Sequence, residues 1–301
     1  MFNLPEPSQA PDLNDWLFVD ELKSPLHRKP HWSRYSPKPG ELYIGKGVRI
    51  LKSFPDPEGL LDTAWQDLER FFDNMGIPVI EVIEFKNIEF KNINSENIKL
   101  EISETLAHNN VKSPDSESEI VTIQAIEEEQ GCCESYCIEI SQNYITIKAG
   151  DTEGIRRGIF YLEDLILESE GPFLTQTVIK RTPWIKNRIS RCFFGPIKRP
   201  PFNRDELMDD VDYYPDEYLN RLAHEGINIL WLTVEFRDIC KTDLVPEYGK
   251  DSDKRLEKLG RTVEKCRRYG IKTFIFCIEP RIWGLDDPLI LNHPEVAGAR
   301  N

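Results

Sequence analysis

Two nearly uninterrupted apolar runs, INILWLT at residues 227–233 and IKTFIFCI at 271–278, each follow a helical pattern that stops at a glycine, Gly226 and Gly270. So little alternation suits strands buried on both faces, as in parallel sheets covered by helices. Parallel neighbours cannot be joined by a tight hairpin and need a crossover, usually helical. The chain supplies those crossovers. One helix opens at Pro215, in a first-turn position, and carries Tyr218, Leu219 and Leu222; a second, near 253–269, presents Leu256, Leu259, Val263 and Cys266 on one side. An apolar strand within 184–194 precedes them, so the order is β-loop-α-β-loop-α-β. Long loops after strands and short turns after helices are the pattern of a (β/α)8 barrel's functional face.

The upstream texture differs. Residues 136–140 and 144–148 alternate around Gln142 and Asn143 as a hairpin does. Asp151 or Thr152 then caps a helix whose apolar face holds Ile155, Ile159, Leu162, Leu165 and Ile166. Gly154 and Gly158 each cost that helix about 1 kcal/mol relative to alanine, which predicts a close approach to a sheet. A phosphate-binding loop would instead place its glycines before the helix. Nearer the start, a strand is expected around 42–50 and a helix on Leu61, Ala64, Leu68, Phe71, Phe72 and Met75, ended by Gly76. Further strands are expected at 78–84 and 97–103, with an exposed polar loop at 108–119. The expected fold class is mixed, α/β and α+β. Its layout is an extension at 1–40, rich in proline and aromatics, a small α/β domain at 41–175 and the parallel-stranded domain at 176–301.

With 40% hydrophobic residues in 301, the chain can build a sizeable core. Acidic residues outnumber basic ones 52 to 38, a net charge of -14 that repels phosphate backbones, so no nucleic-acid partner is expected. The start lacks a signal-peptide pattern, and no run approaches the roughly 20 apolar residues of a membrane span; a soluble, cytoplasmic protein without a membrane partner is expected. Seven cysteines, an odd number spread along the chain, read as reduced thiols. Cys132, Cys133 and Cys137 have no nearby histidine or second cysteine pair, and the five histidines show no HExxH spacing, so neither metal nor cofactor is expected.

The segment YCIEISQNYITIKAGDTEGIRRGIFYLEDLI resembles the small non-catalytic α/β domain in front of the barrel in family 20 glycoside hydrolases, the β-N-acetylhexosaminidases, and in the related α-glucuronidases. RTPWIKNRISRCFFG is similar to their entry into the first barrel strand, HEGINILWLTVEFRD to the passage from the first helix into the second strand, and RRYGIKTFIFCIEPRIWG to the third. The likeness covers roughly 40–301. It implies an accessory domain followed by an incomplete (β/α)8 barrel of three βα units, in a hydrolase of terminal β-linked N-acetylhexosamine that uses the substrate acetamido oxygen as nucleophile and no metal. The family's histidine-rich motif after the second strand is absent, since Trp231, Leu232, Thr233, Val234 and Glu235 stand there. Its catalytic Asp-Glu pair belongs to a fourth strand, past Asn301, so a truncated chain or one needing a partner is expected. An open parallel edge would let such a chain self-associate.

The candidate carbohydrate contacts follow from this layout. Arg188 and Arg191 lie on the first strand, where the family places an arginine on sugar hydroxyls; alternation lets only one of them face inward. Glu235 follows the second strand, with Arg237 and Asp238, while Glu279 and Trp283 follow the third, with Arg281. Carboxylate acceptors beside an indole suit a pyranose, whose hydroxyls need fixed partners and whose C–H face packs on an aromatic. Structural ion pairs and core coverage are the competing roles for the same residues. Two further readings stand beside the hydrolase: a non-catalytic carbohydrate-binding or assembly module, and a smaller enzyme using Glu235 and Glu279 as its carboxylate pair.

Overall fold

The computed structural model describes residues 26, 32–84, 120–128, 132–191, 197–199, 202–243, 245–277 and 288–296. The expected strand at 97–103 and loop at 108–119 lie outside these residues. The chain divides into two compact units: one holds the described residues up to Lys186 with Arg268–Gly270, the other Asn187–Arg267 and those from Ile271 onward.

In the first unit the stretch expected as a single strand at 42–50 is two, β1 (Glu41–Tyr43) and β2 (Val48–Lys52), broken at Gly47, whose φ of +130° ends regular pairing. Helix α1 (Asp62–Met75) buries Ala64, Trp65, Leu68, Phe71, Phe72 and Met75 on one face. Both carboxylate oxygens of Asp56 accept backbone N–H groups at its entry, from Leu60 and Leu61, and Gly76 closes it in the left-handed conformation. Strands β3 (Val79–Glu84), β4 (Val121–Glu127), β5 (Tyr136–Ile140) and β6 (Tyr144–Ala149) follow, then helix α2 (Thr152–Leu167), β7 (Phe173–Thr175) and β8 (Thr177–Arg181).

Six of these strands form one sheet in the order β3-β2-β4-β6-β5-β8, parallel from β3 to β6 and antiparallel from there to β8. Residues 177–181, which the sequence reading puts in the second domain, therefore pair with β5 as the outer strand of the first unit's sheet. β1 and β7 pair separately.

Helix α2 is capped as expected: the Asp151 side chain accepts the Gly154 N–H at 2.6 Å. Its two glycines lie against the sheet. A Cβ on Gly154 would meet the Ser135 carbonyl oxygen and sit 2.6 Å from Ala149 Cβ, and one on Gly158 would meet Ile147 Cγ2. Arg156, fully buried, pairs with Glu153 at 3.2 Å and donates to Thr63 Oγ1 at 3.0 Å and to the Leu60 carbonyl, tying α2 to the start of α1.

The second unit begins with β9 (Ile189–Arg191), inside the strand expected within 184–194; Trp184 and Ile185 are exposed and not in it, and 192–194 lie outside the described residues. A small antiparallel hairpin, β10 (Ile197–Arg199) with β11 (Phe202–Arg204), occupies what the sequence suggests is loop. Helix α3 (Asp216–His224) has Pro215 as its extended N-cap, one position before the expected first turn. Then come β12 (Ile229–Val234), the single turn α4 (Phe236–Ile239), helix α5 (Ser252–Arg268), β13 (Lys272–Cys277) and the short helix α6 (Pro288–Asn292).

β9, β12 and β13 lie side by side, all parallel, with β12 in the centre. Burial on β12 alternates, correcting the expectation of a strand covered on both faces. Leu230, Leu232 and Val234 are buried, whereas Ile229, Trp231 and Thr233 are only half-covered. The uncovered side is apolar too, which is why the sequence shows no alternation. Likewise α5 buries only Ser252 and Cys266, and Leu256 on its expected apolar face is 46% exposed. Among the described residues no helix is long and apolar enough to cross a membrane.

Candidate functional site

Register defines the two faces of the parallel sheet. Arg191, Trp231 and Phe274 are mutual partners across β9, β12 and β13, so alternation assigns Ile189, Ile229, Thr233 and Phe276 to the same face as these three. This open face is aromatic: the Trp231 ring lies 6.3 Å from Phe274 and 4.7 Å from Phe276, both edge-on. The Arg191 guanidinium sits 5.9 Å from the Trp231 ring, within cation–π range. Trp231 Nε1–H is buried and finds no acceptor among the described residues. Sequence reasoning passed over Trp231 as a contact; its signal was an aromatic inside the central strand, in register with a second one on β13.

The carboxyl end of β12 carries Glu235, whose extended backbone (φ -97°, ψ 131°) continues the strand and prolongs the Trp231–Thr233 face. Its side chain is buried and accepts from Arg237 Nε at 2.7 Å. Arg237 also fixes the loop behind it, where its carbonyl accepts the Gly249 N–H at 2.8 Å. Further along this loop Glu247 accepts from Asn292 Nδ2 at 2.9 Å and lies 3.1 Å from His293 Nε2, so the segments after β12 and β13 are bound together. The Asn292 amide is the main reason that the Glu247 carboxyl titrates below its ordinary range, with His293 adding to the effect.

Arg188 is elsewhere. It precedes β9, at the amino end of the parallel strands; its Nε donates to the Gly226 carbonyl, its N–H to Asn228 Oδ1 at 2.9 Å, and its carbonyl accepts from Asn228 and Ile229. These contacts make it a brace for the turn between α3 and β12, at the opposite end from Glu235. The structure thus places Arg191 beside Trp231 in the middle of β12 and Glu235 further along the same face, past the carboxyl end of that strand, and leaves Arg188 at the amino end. Glu279 and Trp283 lie outside the described residues.

No protein-family model matches this chain, and no curated protein sequence does. Its fold is similar to that of a solved glycoside hydrolase, with weaker likenesses to others. A family 138 glycoside hydrolase targeting pectin rhamnogalacturonan II superposes with a TM-score of 0.53 at 13% identity, over 82% of this chain and 33% of that one. A β-N-acetylhexosaminidase from Bacteroides fragilis gives 0.45 at 12% identity, over 82% and 44%. Flavobacterium johnsoniae chitobiase gives 0.47 at 16% identity, over 85% and 34%. The chain therefore spans between a third and less than half of the length of these proteins. Its likeness to the family 20 β-N-acetylhexosaminidases is distant and partial in coverage.

Proposed function

We propose that this chain is the amino-terminal portion of a glycoside hydrolase acting on N-acetylhexosamine-containing glycans. Residues 41–175 supply most of the accessory α/β domain, and β9, β12 and β13 with their helices are the first three βα units of a (β/α)8 barrel. The observation that carries this reading is the order of the second unit's sheet: three parallel strands adjacent in chain order, with helices between them and the longer loops at one end. A cytoplasmic protein is proposed, in keeping with the free thiols at Cys132, Cys133, Cys137, Cys240 and Cys266.

In this reading Arg191 offers planar donors to sugar hydroxyls, Glu235 accepts from them, and Trp231 gives the aromatic surface between the two. Glu279 and Trp283 are proposed as further contacts on their chemistry alone, a carboxylate acceptor and an aromatic surface. Because Glu235 is engaged by Arg237, it is suited to holding a hydroxyl rather than to protonating a leaving group. The chain alone is proposed to bind carbohydrate without turning it over. That same ion pair favours, as a second reading, a carbohydrate-binding or assembly module. Self-association belongs to either reading, since β13 exposes Phe274 and Ile275 and has no strand on its outer side among the described residues.

Calorimetric titration with chitobiose tests the proposal, alongside an assay with an aryl N-acetyl-β-glucosaminide. Saturable binding without hydrolysis is expected, weakened about tenfold by Arg191→Ala or Glu235→Gln, which is the loss of one hydrogen bond to a charged group. Absence of saturable binding, or binding indifferent to both substitutions, overturns it.

A further inference from the structure

A second concave site lies on the other face of the same sheet. A cavity of about 550 Å³ is enclosed by the segment before α3, the covered side of β12 and one side of α5. Its floor is apolar, formed by Leu232, Val234 and Leu259. Since Leu232 and Val234 alternate with Trp231, this cavity lies on the helical side of the sheet, with Thr233 between them also in its lining and neither Trp231 nor Arg191 part of it.

Its two walls are oppositely charged. The segment at 205–214 contributes Glu206, Asp209 and Asp212, while α5 contributes Lys254, Lys258, Arg261 and Lys265 at helical spacing, together with Glu257, which pairs with Arg261 at 2.6 Å. The walls are locked to each other. Arg255 holds Asp205 through two contacts of 2.8 and 2.6 Å, Lys258 donates to the Asp209 and Val211 carbonyls, and Lys265 pairs with Asp212 at 2.7 Å. The Tyr213 hydroxyl donates to Asp209 Oδ2 at 2.8 Å, which fixes its ring at the cavity wall with Lys258 Nζ 5.7 Å from the centroid.

We infer that this cavity binds a neutral polyhydroxylated ligand about the size of one or two pyranose rings. The volume falls in the range of small-molecule sites. An ionic ligand would have to displace the pairs that hold the walls together. A hydroxylated one would not: each carboxylate has about four lone-pair positions and each ammonium three protons, so hydroxyls can be added to the existing pairs. The Leu232–Val234 floor and the fixed Tyr213 ring give the C–H faces of such a ligand an apolar surface. This inference does not rest on the proposed hydrolase reading, because no residue is shared with the Arg191–Glu235 rim.

Saturation-transfer NMR on the full chain tests it, with methyl β-D-glucopyranoside and myo-inositol as probes and glycine betaine and methyl phosphate as charged controls. Transfer to at least one neutral probe is expected. It should weaken about tenfold in Thr262→Phe, which fills the cavity from α5, and in Arg261→Ala, whose side chain is 63% exposed and can be removed without unfolding the helix. All of these spectra are taken in an Arg191→Ala background, so that the rim proposed above contributes little to the signal. Transfer to neither neutral probe, transfer that survives both cavity variants, or transfer only to betaine or methyl phosphate overturns the inference.

Discussion

Replacing Gly158 or Gly260 by alanine is the same chemical change in a helix interior, yet opposite outcomes are expected. Gly260, on α5, has open space where a Cβ would go, so alanine should stabilise the second unit by about 0.5–1 kcal/mol through helix propensity and a less flexible unfolded chain. At Gly158 the same gain of about 1 kcal/mol is available, but the new methyl would overlap Ile147 Cγ2, in the middle of β6. Ile147 is fully buried and cannot swing aside, so α2 must lift from the sheet, and overpacking of this kind costs about 1–3 kcal/mol. Because lifting α2 also loosens Ile155, Ile159 and Leu162, all fully buried, the upper end applies and a net loss of about 2 kcal/mol is expected. Urea unfolding followed by far-ultraviolet circular dichroism reads both variants, with unchanged m-values as the check that only stability has moved. A Gly158→Ala protein as stable as the parent would refute the close helix-on-sheet packing.

Two further outcomes follow from the buried groups. Arg156→Met should cost the first unit about 1–3 kcal/mol, because the buried guanidinium's hydrogen bonds to the Leu60 carbonyl and Thr63 Oγ1 and its pairing with the partly exposed Glu153 are lost, and urea unfolding measures this directly. Exposed Cys132 and Cys133 should react with iodoacetamide at pH 8.5, whereas burial pushes the Cys266 thiol up to about 12 and keeps it protonated and unlabelled; rapid labelling of Cys266 would contradict its place on the buried side of α5. The sign carries over to stability. Cys266 favours the folded state fully below pH 9, and this contribution is lost as the pH rises toward 12, where only the unfolded thiol ionises freely.

What the sequence disclosed was local. The spacing of Ile155, Ile159 and Leu162, the cap at Asp151 and the hairpin around Gln142 are each decided by neighbours within a few residues, and all appear in the structure where expected. The two glycines of α2 were legible for the same reason: their propensity cost needs a compensating contact. The misjudgements concern what covers an element. An apolar strand reads alike whether both faces are buried or one is open, so β12 was expected to be enclosed although Trp231 stands half-exposed. Arg188 and Arg191 differ by three positions in one strand pattern, and only the register of β9 against β12 shows that one braces a turn at the amino end. The cavity beside α5 had no sequence signal, because its walls are joined by contacts such as Asp205 with Arg255, 50 residues apart.

Hydrogen exchange of the backbone amides, compared with and without saturating chitobiose, locates the working surface without a substitution. Slowed exchange is expected in 189–191 and 229–239, the segments whose shared face carries Arg191, Trp231 and Glu235, with β2, β4 and β6 unchanged. Protection confined to the six-stranded sheet, or none anywhere at saturation, would contradict the assignment of carbohydrate to the carboxyl end of the parallel strands.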